Sequence, residues 1–358
     1  MKASSLFAVV VAVGAALLAA SGCGATGPAP MAASPNAPPI ATPPPNQLYV
    51  DHLGTLYEYR LPLSANSKPE RTLTEWPGLG LAPQIAVASG GDVAVASSNA
   101  IRIFSPPIVS FEPSHAKLSI TLTPAITEVG PSGAALIDIE YDPNGNLWLL
   151  NNLGAEISEL RTPLTKSSIA AVTIAFGAPG SKTAGFNFLV QARFDVNAAL
   201  YVYASASTRS RLFKLSFPYA KQPSSVGINL AQADFVDSSQ YLPTSQNPAS
   251  VLLGQYIGEL ATPRPGSPPS PPADVMGQFD EPLNPLEGLI PNHIVKTVVG
   301  ALTADAPRQR FYTLLASNGR LEVFGLPLPA GAKPSLTLPC LGGTASCVEQ
   351  SEHLFLAP

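Results

Sequence analysis

From residue 47 onward the chain reads as short apolar runs punctuated by clusters of Gly, Pro, Asn and Asp. Runs such as Leu147-Trp148-Leu149 and Leu200-Tyr201-Val202 are too short for helices. They are rich in the residues that pack well on a pleated surface, so they predict buried strands. Other runs alternate: Ile101-Arg102-Ile103-Phe104, Ile157-Ser158-Glu159-Leu160 and Leu321-Glu322-Val323-Phe324. Alternation sends apolar side chains to one face, which predicts strands with one side more buried than the other. Between Ile137-Asp138-Ile139-Glu140-Tyr141 and the run at Leu147 stands Asp142-Pro143-Asn144-Gly145, whose Asn-Gly is a strong hairpin signal.

The pattern repeats. The stretch Gly54-Thr55-Leu56-Tyr57-Glu58-Tyr59-Arg60-Leu61-Pro62-Leu63 continues through Lys68-Pro69 to Thr72-Leu73. Near the other end, Gly319-Arg320-Leu321-Glu322-Val323-Phe324-Gly325-Leu326-Pro327-Leu328 continues through Lys333-Pro334 to Thr337-Leu338. The two align without a gap and about half of their positions are identical. Degenerate copies begin at Gln47, Asp92, Asn146, Ala199, Ser250 and Arg310, a spacing of roughly 45 to 60 residues, the size of a four-stranded propeller blade. The expectation is an all-β fold, a β-propeller of six blades with four antiparallel strands each. In each blade the innermost strand precedes the copy, as residues 137–141 do. Gln47 has no such strand ahead of it, and the tail His353-Leu354-Phe355-Leu356 is placed to supply it, closing the ring with strands from both termini. A seventh, partial blade built on that tail is the alternative.

The cadence "Leu-Tyr-Val, second strand, Leu-Pro", with Asp142-Pro143-Asn144-Gly145-Asn146-Leu147-Trp148, resembles the NHL and gluconolactonase-like propellers over residues 47–358. No copy carries a Trp-Asp signature, so a WD-type propeller is not supported.

Composition sharpens this picture. The 39 prolines among 358 residues exclude a helical bundle, because a proline inside a helix removes a hydrogen bond and clashes with the preceding turn. Charged residues are 12% of the chain and the net charge is −4; Lys and Arg are scattered along the sequence, with no run that marks nucleic acid or anionic lipid as a partner.

Residues 1–22 read as an address. Met1-Lys2 precede an apolar stretch at residues 6–20, too short to span a bilayer comfortably, the form of a signal peptide. Ala19-Ala20-Ser21-Gly22-Cys23 resembles the bacterial lipobox, with Ala20 where leucine is usual; the resemblance implies a diacylglycerol thioether at Cys23. Residues 23–46 are then a Pro-rich disordered tether, extended by its prolines. An ordinary secretory cleavage nearby is the alternative. In an exported chain the remaining pair, Cys340 and Cys347, separated by Leu-Gly-Gly-Thr-Ala-Ser, is positioned for a disulfide; free thiols are the other reading.

Candidate chemistry is sparse. Asp138 and Glu140 alternate along an innermost strand and share a face. Gluconolactonase-like propellers hold calcium on the axis with carboxylates and asparagines. The resemblance therefore marks Asp138 and Glu140 as candidate metal ligands, with Asn144, Asn146, Asn151 and Asn152 nearby. Against this, Asp142 to Asn146 is ordinary turn chemistry, and Gln84-Ile85-Ala86-Val87 and Gln191-Ala192-Arg193-Phe194 stand at the equivalent places without acids. The four histidines, His52, His115, His293 and His353, show no metal-ligand spacing, although His293 falls in an innermost-strand region. Trp76 and Trp148 read as packing, and the Pro-rich residues 263–272 as a stiff loop within a blade. No catalytic residue and no cofactor are assigned. The expected function is that of a monomeric, lipid-anchored protein outside the cytoplasm, in the bacterial cell envelope. Its propeller would serve as a non-catalytic binding or scaffold module for an envelope protein or a small molecule. The alternative is a metal-dependent, lactonase-like hydrolase with calcium on the axis.

Overall fold

The computed structural model describes residues 46–52, 55–74, 84–181, 183–194, 199–206, 209–215, 229–230, 241–243, 250–258, 273–280, 293–295, 299–305, 308–315, 320–325, 331–339 and 353–357. Residues 1–45 with Cys23, the pair Cys340 and Cys347, Trp76 and the Pro-rich residues 263–272 lie outside them.

The described strands form antiparallel four-stranded sheets. The first sheet is composite: β24 (His353–Ala357), β1 (Gln47–His52), β2 (Thr55–Arg60) and β3 (Arg71–Thr74), in that order. The other five are each built from four consecutive strands. The second holds β4 (Gln84–Val87), β5 (Val93–Ala96), β6 (Ala100–Phe104) and β7 (Leu118–Thr121). The third holds β8 (Leu136–Tyr141), β9 (Leu147–Asn151), β10 (Glu156–Leu160) and β11 (Ala170–Ala175). The fourth holds β12 (Phe188–Phe194), β13 (Leu200–Ala206), β14 (Arg209–Leu215) and β15 (Asn229–Leu230). The fifth holds β16 (Tyr241–Pro243), β17 (Ser250–Gly258), β18 (Ala273–Asp280) and β19 (His293–Val295). The sixth holds β20 (Val299–Asp305), β21 (Arg310–Leu315), β22 (Leu321–Gly325) and β23 (Leu336–Leu338).

The first-listed strands of successive sheets touch one another: β24 meets β4, β4 meets β8, and so on through β12, β16 and β20, which returns to β24. This is the arrangement of a propeller about its axis. The tail pairs with β1 in the register Leu48↔Leu356, Val50↔Leu354, so it completes the first sheet and does not begin a seventh. The physical reason is edge satisfaction. Without β24, the backbone groups on one side of β1 would be left unpaired.

Burial follows position within a blade. The second strands β5 and β9, Val-Ala-Val-Ala and Leu-Trp-Leu-Leu-Asn, are buried on both faces, whereas the outer strands β7 and β11 alternate with exposed positions. The cores lie between neighbouring sheets. One joins Trp148, Ile157 and Ile174 of the third sheet to Leu200, Val202 and Phe213 of the fourth. Another joins Leu48, Val50 and Tyr59 to Tyr312, Leu314 and Val323, sealing the sixth sheet against the first. Each large apolar side chain buried this way stabilises the fold by about 1.5–3 kcal/mol.

Local structure repeats as the sequence does. Ser64 N–H donates to Ser67 Oγ at 2.8 Å after β2, and Thr165 N–H donates to Ser168 Oγ at 2.9 Å after β10. The Asn-Gly link is a tight turn in which Gly145 has φ +81°, a left-handed conformation that suits glycine.

One placement corrects the sequence reading. His293 begins β19, the outermost strand of its sheet, and not an innermost one. The repeat is most degenerate there, and residues 293–295 pair with β18 on the side away from β17.

Candidate functional site

The innermost strands carry the candidate chemistry. On β8, Ile139 is buried in the core between the second and third sheets. The strand's pairing to β9 shifts register between Leu136 and Asp138, a bulge of the kind that re-aims side chains. Asp138 is buried, 6% exposed, and reaches the neighbouring blade. Its Oδ2 accepts from Ala192 N–H at 3.0 Å and from Arg193 Nη1 at 2.7 Å, and its Oδ1 accepts from Ile139 N–H at 3.0 Å. Ala192 lies on β12, whose edge on this side has no strand partner in its sheet. Asp138 therefore satisfies a backbone donor that would otherwise face the axis unpaired. Asn152 performs a similar task further along β12, accepting from Leu189 N–H at 2.6 Å and donating to Leu189 O at 3.0 Å.

Glu140 and Arg193 occupy equivalent positions in successive sheets, paired to Trp148 and Tyr201 respectively. Arg193 Nη1 lies 3.4 Å from Glu140 Oε2 and also donates to Ala192 O at 2.6 Å. A single guanidinium thus spans both carboxylates that the sequence marked as metal ligands. The side chain of Glu140 keeps 27% of its surface in water, that of Asp138 8%. Burial pushes the Glu140 carboxyl up from 4.5 to about 7; Arg193 opposes the rise and Asp138 adds to it. Burial also raises Asp138, against Arg193 and the two backbone donors. The pair is chemically unequal: Asp138 is committed to structure, and Glu140 is a water-accessible group able to exchange a proton near neutral pH.

A calcium ion needs several free oxygens at once. The donor set here does not fit, because a cation of the chain already lies between the two carboxylates. Three of the four asparagines, Asn146, Asn151 and Asn152, are committed as well. Asn151 Oδ1 accepts from Ala135 and Leu153 N–H, each at 3.0 Å, and its amide donates to Thr127 Oγ1 and Glu128 O. Asn146 donates to Asp142 and Glu159 and accepts from Thr162 N–H. Asp142 is a turn hub, taking the N–H groups of Asn144 and Asn146 and the indole N–H of Trp148 at 3.2 Å. Its counterpart in the sixth sheet is Asp305, which accepts from the Tyr312 hydroxyl at 3.4 Å. Among the described residues no three His, Cys, Asp or Glu side chains converge as metal ligands. His115 is exposed at the end of a short 3-10 turn, and His52 and His353 lie on the adjacent strands β1 and β24. Trp148 is fully buried and packs on Phe194 at 5.6 Å, the packing role its sequence suggested.

Sequence reasoning missed Arg193 as a partner of Asp138. The available signal was its position: Gln191-Ala192-Arg193-Phe194 aligns with the strand that carries the two acids. Away from the axis, a cleft of about 250 Å³ is lined by residues 124–129, Glu156 and Thr173 at the rim of the third sheet. The Glu156 carboxylate there accepts from Thr127 Oγ1 at 2.7 Å and from Glu128 N–H.

No protein-family model matches the chain, and no curated relative matches it. Solved structures are similar to it. A protein of unknown function from Bacteroides caccae is 12% identical with a TM-score of 0.50, covering 87% of this chain and 99% of that one. A putative 6-phosphogluconolactonase from Bacteroides fragilis is 11% identical with a TM-score of 0.48, over 89% of this chain and 86% of that one. A streptogramin B lyase is 11% identical with a TM-score of 0.41, over 84% and 76%. At such identities the likeness is one of fold, and the chain is a β-propeller of antiparallel four-stranded blades.

Proposed function

We propose that this chain is a cell-envelope lipoprotein, anchored through a lipid on Cys23, whose six-bladed propeller is a non-catalytic binding or scaffold module. In this reading residues 23–46 are the tether, Cys340 and Cys347 form a disulfide, and the occupant of the propeller is an envelope protein or a small molecule. The observation that carries it is Arg193. By pairing with Asp138 at 2.7 Å and lying 3.4 Å from Glu140, it turns a would-be cation site into an internal ion pair. A site so neutralised supports recognition on a rigid frame more than metal-assisted hydrolysis.

The test is elemental analysis of the purified protein with thermal melting in chelator, alongside affinity capture from envelope extracts. Metal-free protein with unchanged melting, and a partner captured reproducibly, is the expected outcome. Stoichiometric calcium or zinc with a chelator-dependent melting temperature would reject it.

A second reading, a lactonase-like hydrolase, is favoured by Glu140, a carboxyl poised at about 7 and reached by water. Its test is lactone hydrolysis by the wild type and by Glu140→Gln. Turnover that the substitution abolishes would establish it, and no turnover across a lactone panel would remove it.

A further inference from the structure

The lysines that look scattered along the sequence fall at the same place in successive blades. Lys68, Lys117 and Lys166 are equally spaced along the chain, and Lys333 matches Lys68 in the gapless repeat. Each lies on the link between the third and fourth strands of its sheet: β2 to β3, β6 to β7, β10 to β11 and β22 to β23. In a propeller these links share one face with the turns that join each innermost strand to the second strand. Lys117 demonstrates this, since its Nζ lies 3.1 Å from Asp92 in the turn between β4 and β5. All four lysines are exposed, and Lys68, Lys166 and Lys333 form no ion pair among the described residues. Arg60, Arg161, Arg308 and Arg310 add to the same face, whose described acids are Glu70, Asp92, Glu112, the buried Asp142 and Asp305, and Glu159, the partner of Arg161. Over the opposite face, the links 97–99, 122–135 and 152–155 carry one charged side chain, Glu128; the sequence of the link 176–187 adds Lys182, and the exposed Arg320 stands just before β22.

Two further observations mark the basic face. The two most exposed of the described large apolar residues, Val109 and Ile169 at 64% and 63%, lie on its links, while Leu153 and Phe188, at 44% and 47%, lie toward the opposite face. The described chain also begins there: Asn46 precedes β1, pairs by its carbonyl with Leu61 N–H, and Gln47 lies opposite Ala357 at the end of the innermost strand. Asn46 therefore lies on the face that carries the lysines.

We infer that this face docks against the anionic headgroups of the bilayer, with the lysines over the lipid phosphates and Val109 and Ile169 at the interface. Exposed lysines near such a surface each strengthen docking roughly fivefold, and apolar tips add to it. The inference deepens the lipid-anchored reading. The opposite face is then presented away from the membrane to a partner.

The experiment is hydrogen–deuterium exchange on the full purified chain, with phosphatidylcholine vesicles and with vesicles containing phosphatidylglycerol, followed by a wash in 1 M salt. Slower exchange in residues 105–117 and 161–169 on the anionic vesicles, with 97–99 and 152–155 unchanged, is expected. The combined variant Lys68→Gln, Lys117→Gln, Lys166→Gln and Lys333→Gln should return those rates to the phosphatidylcholine values. Protein retained through the wash without that protection, or protected on the opposite face, overturns the docking and leaves the anchor standing. Protection at low salt followed by complete loss in the wash keeps the docking and overturns the anchor.

Discussion

Arg193 on β12 and Asp138 on β8 are 55 residues apart in sequence and 2.7 Å apart in space, one guanidinium nitrogen against one carboxylate oxygen. The bond stitches the innermost strands of two adjacent sheets. Because both partners are largely buried, removing one leaves a charge without compensation. Arg193→Met is therefore expected to lower the unfolding free energy by about 3–5 kcal/mol in urea titration. The double variant with Asp138→Asn should recover part of this loss, since only the partly exposed Glu140 is then left without the arginine. Equal stability of the single variant and the wild type would show that the pair is inert.

Glu140 makes stability depend on pH. Its carboxyl titrates at about 7 in the folded chain against 4.5 when unfolded, so the folded state holds the proton more tightly. Its contribution is fully present below pH 4.5 and is lost as pH rises through 7. Asp138, also raised, acts in the same direction. Glu140→Gln should flatten the dependence between these pH values and leave the variant more stable at pH 8 by on the order of 1–2 kcal/mol. Melting temperatures from pH 4 to pH 8 decide it; parallel curves for the two proteins would refute the assignment.

Leu354 tests ring closure. It is 7% exposed, pairs with Val50 and packs with Leu48 and Leu321. Leu354→Ala should cost about 2–4 kcal/mol through lost burial and a residual cavity. Deleting β24 should do more, leaving the open edge of β1 to pair with other chains; light scattering would register that association.

Asp142 tests the turn reading of Asp-Pro-Asn-Gly-Asn. It accepts four hydrogen bonds, from the Asn144 and Asn146 backbone, the Asn146 amide and the Trp148 indole. Asp142→Ala removes the acceptor that Asp142 offers the Trp148 indole and should destabilise the chain by about 1–3 kcal/mol, equally with and without calcium. A loss confined to calcium-containing buffer would instead mark a ligand.

The fold was legible because it is written several times over: Leu-Tyr-Val, Leu-Trp-Leu and Phe-Tyr-Thr each sit where a second strand must be buried on both faces. The tail was legible by subtraction, since β1 lacked an innermost neighbour. The site was legible only in part. Asp138 and Glu140 could be placed on one innermost strand because strand periodicity is local. Their partner could not, because Arg193 meets them across a blade boundary that no local pattern reports. The asparagines misled for a related reason. Asn151 and Asn152 look like oxygen ligands in sequence, whereas in space Asn151 secures the link entering β8 and Asn152 an unpaired stretch of β12. The histidine in β19 misled because the repeat there has drifted furthest.

The partnership of β24 with β1 also sets an order of assembly. The strands β1 and β24 come from opposite ends of the propeller sequence, so their pairing is among the most non-local in the fold. Every other sheet is built from consecutive strands and can form locally, whereas the first is complete only when its distant strand arrives. Until then the hairpin of β1 and β2 presents an open edge on which another chain could bond.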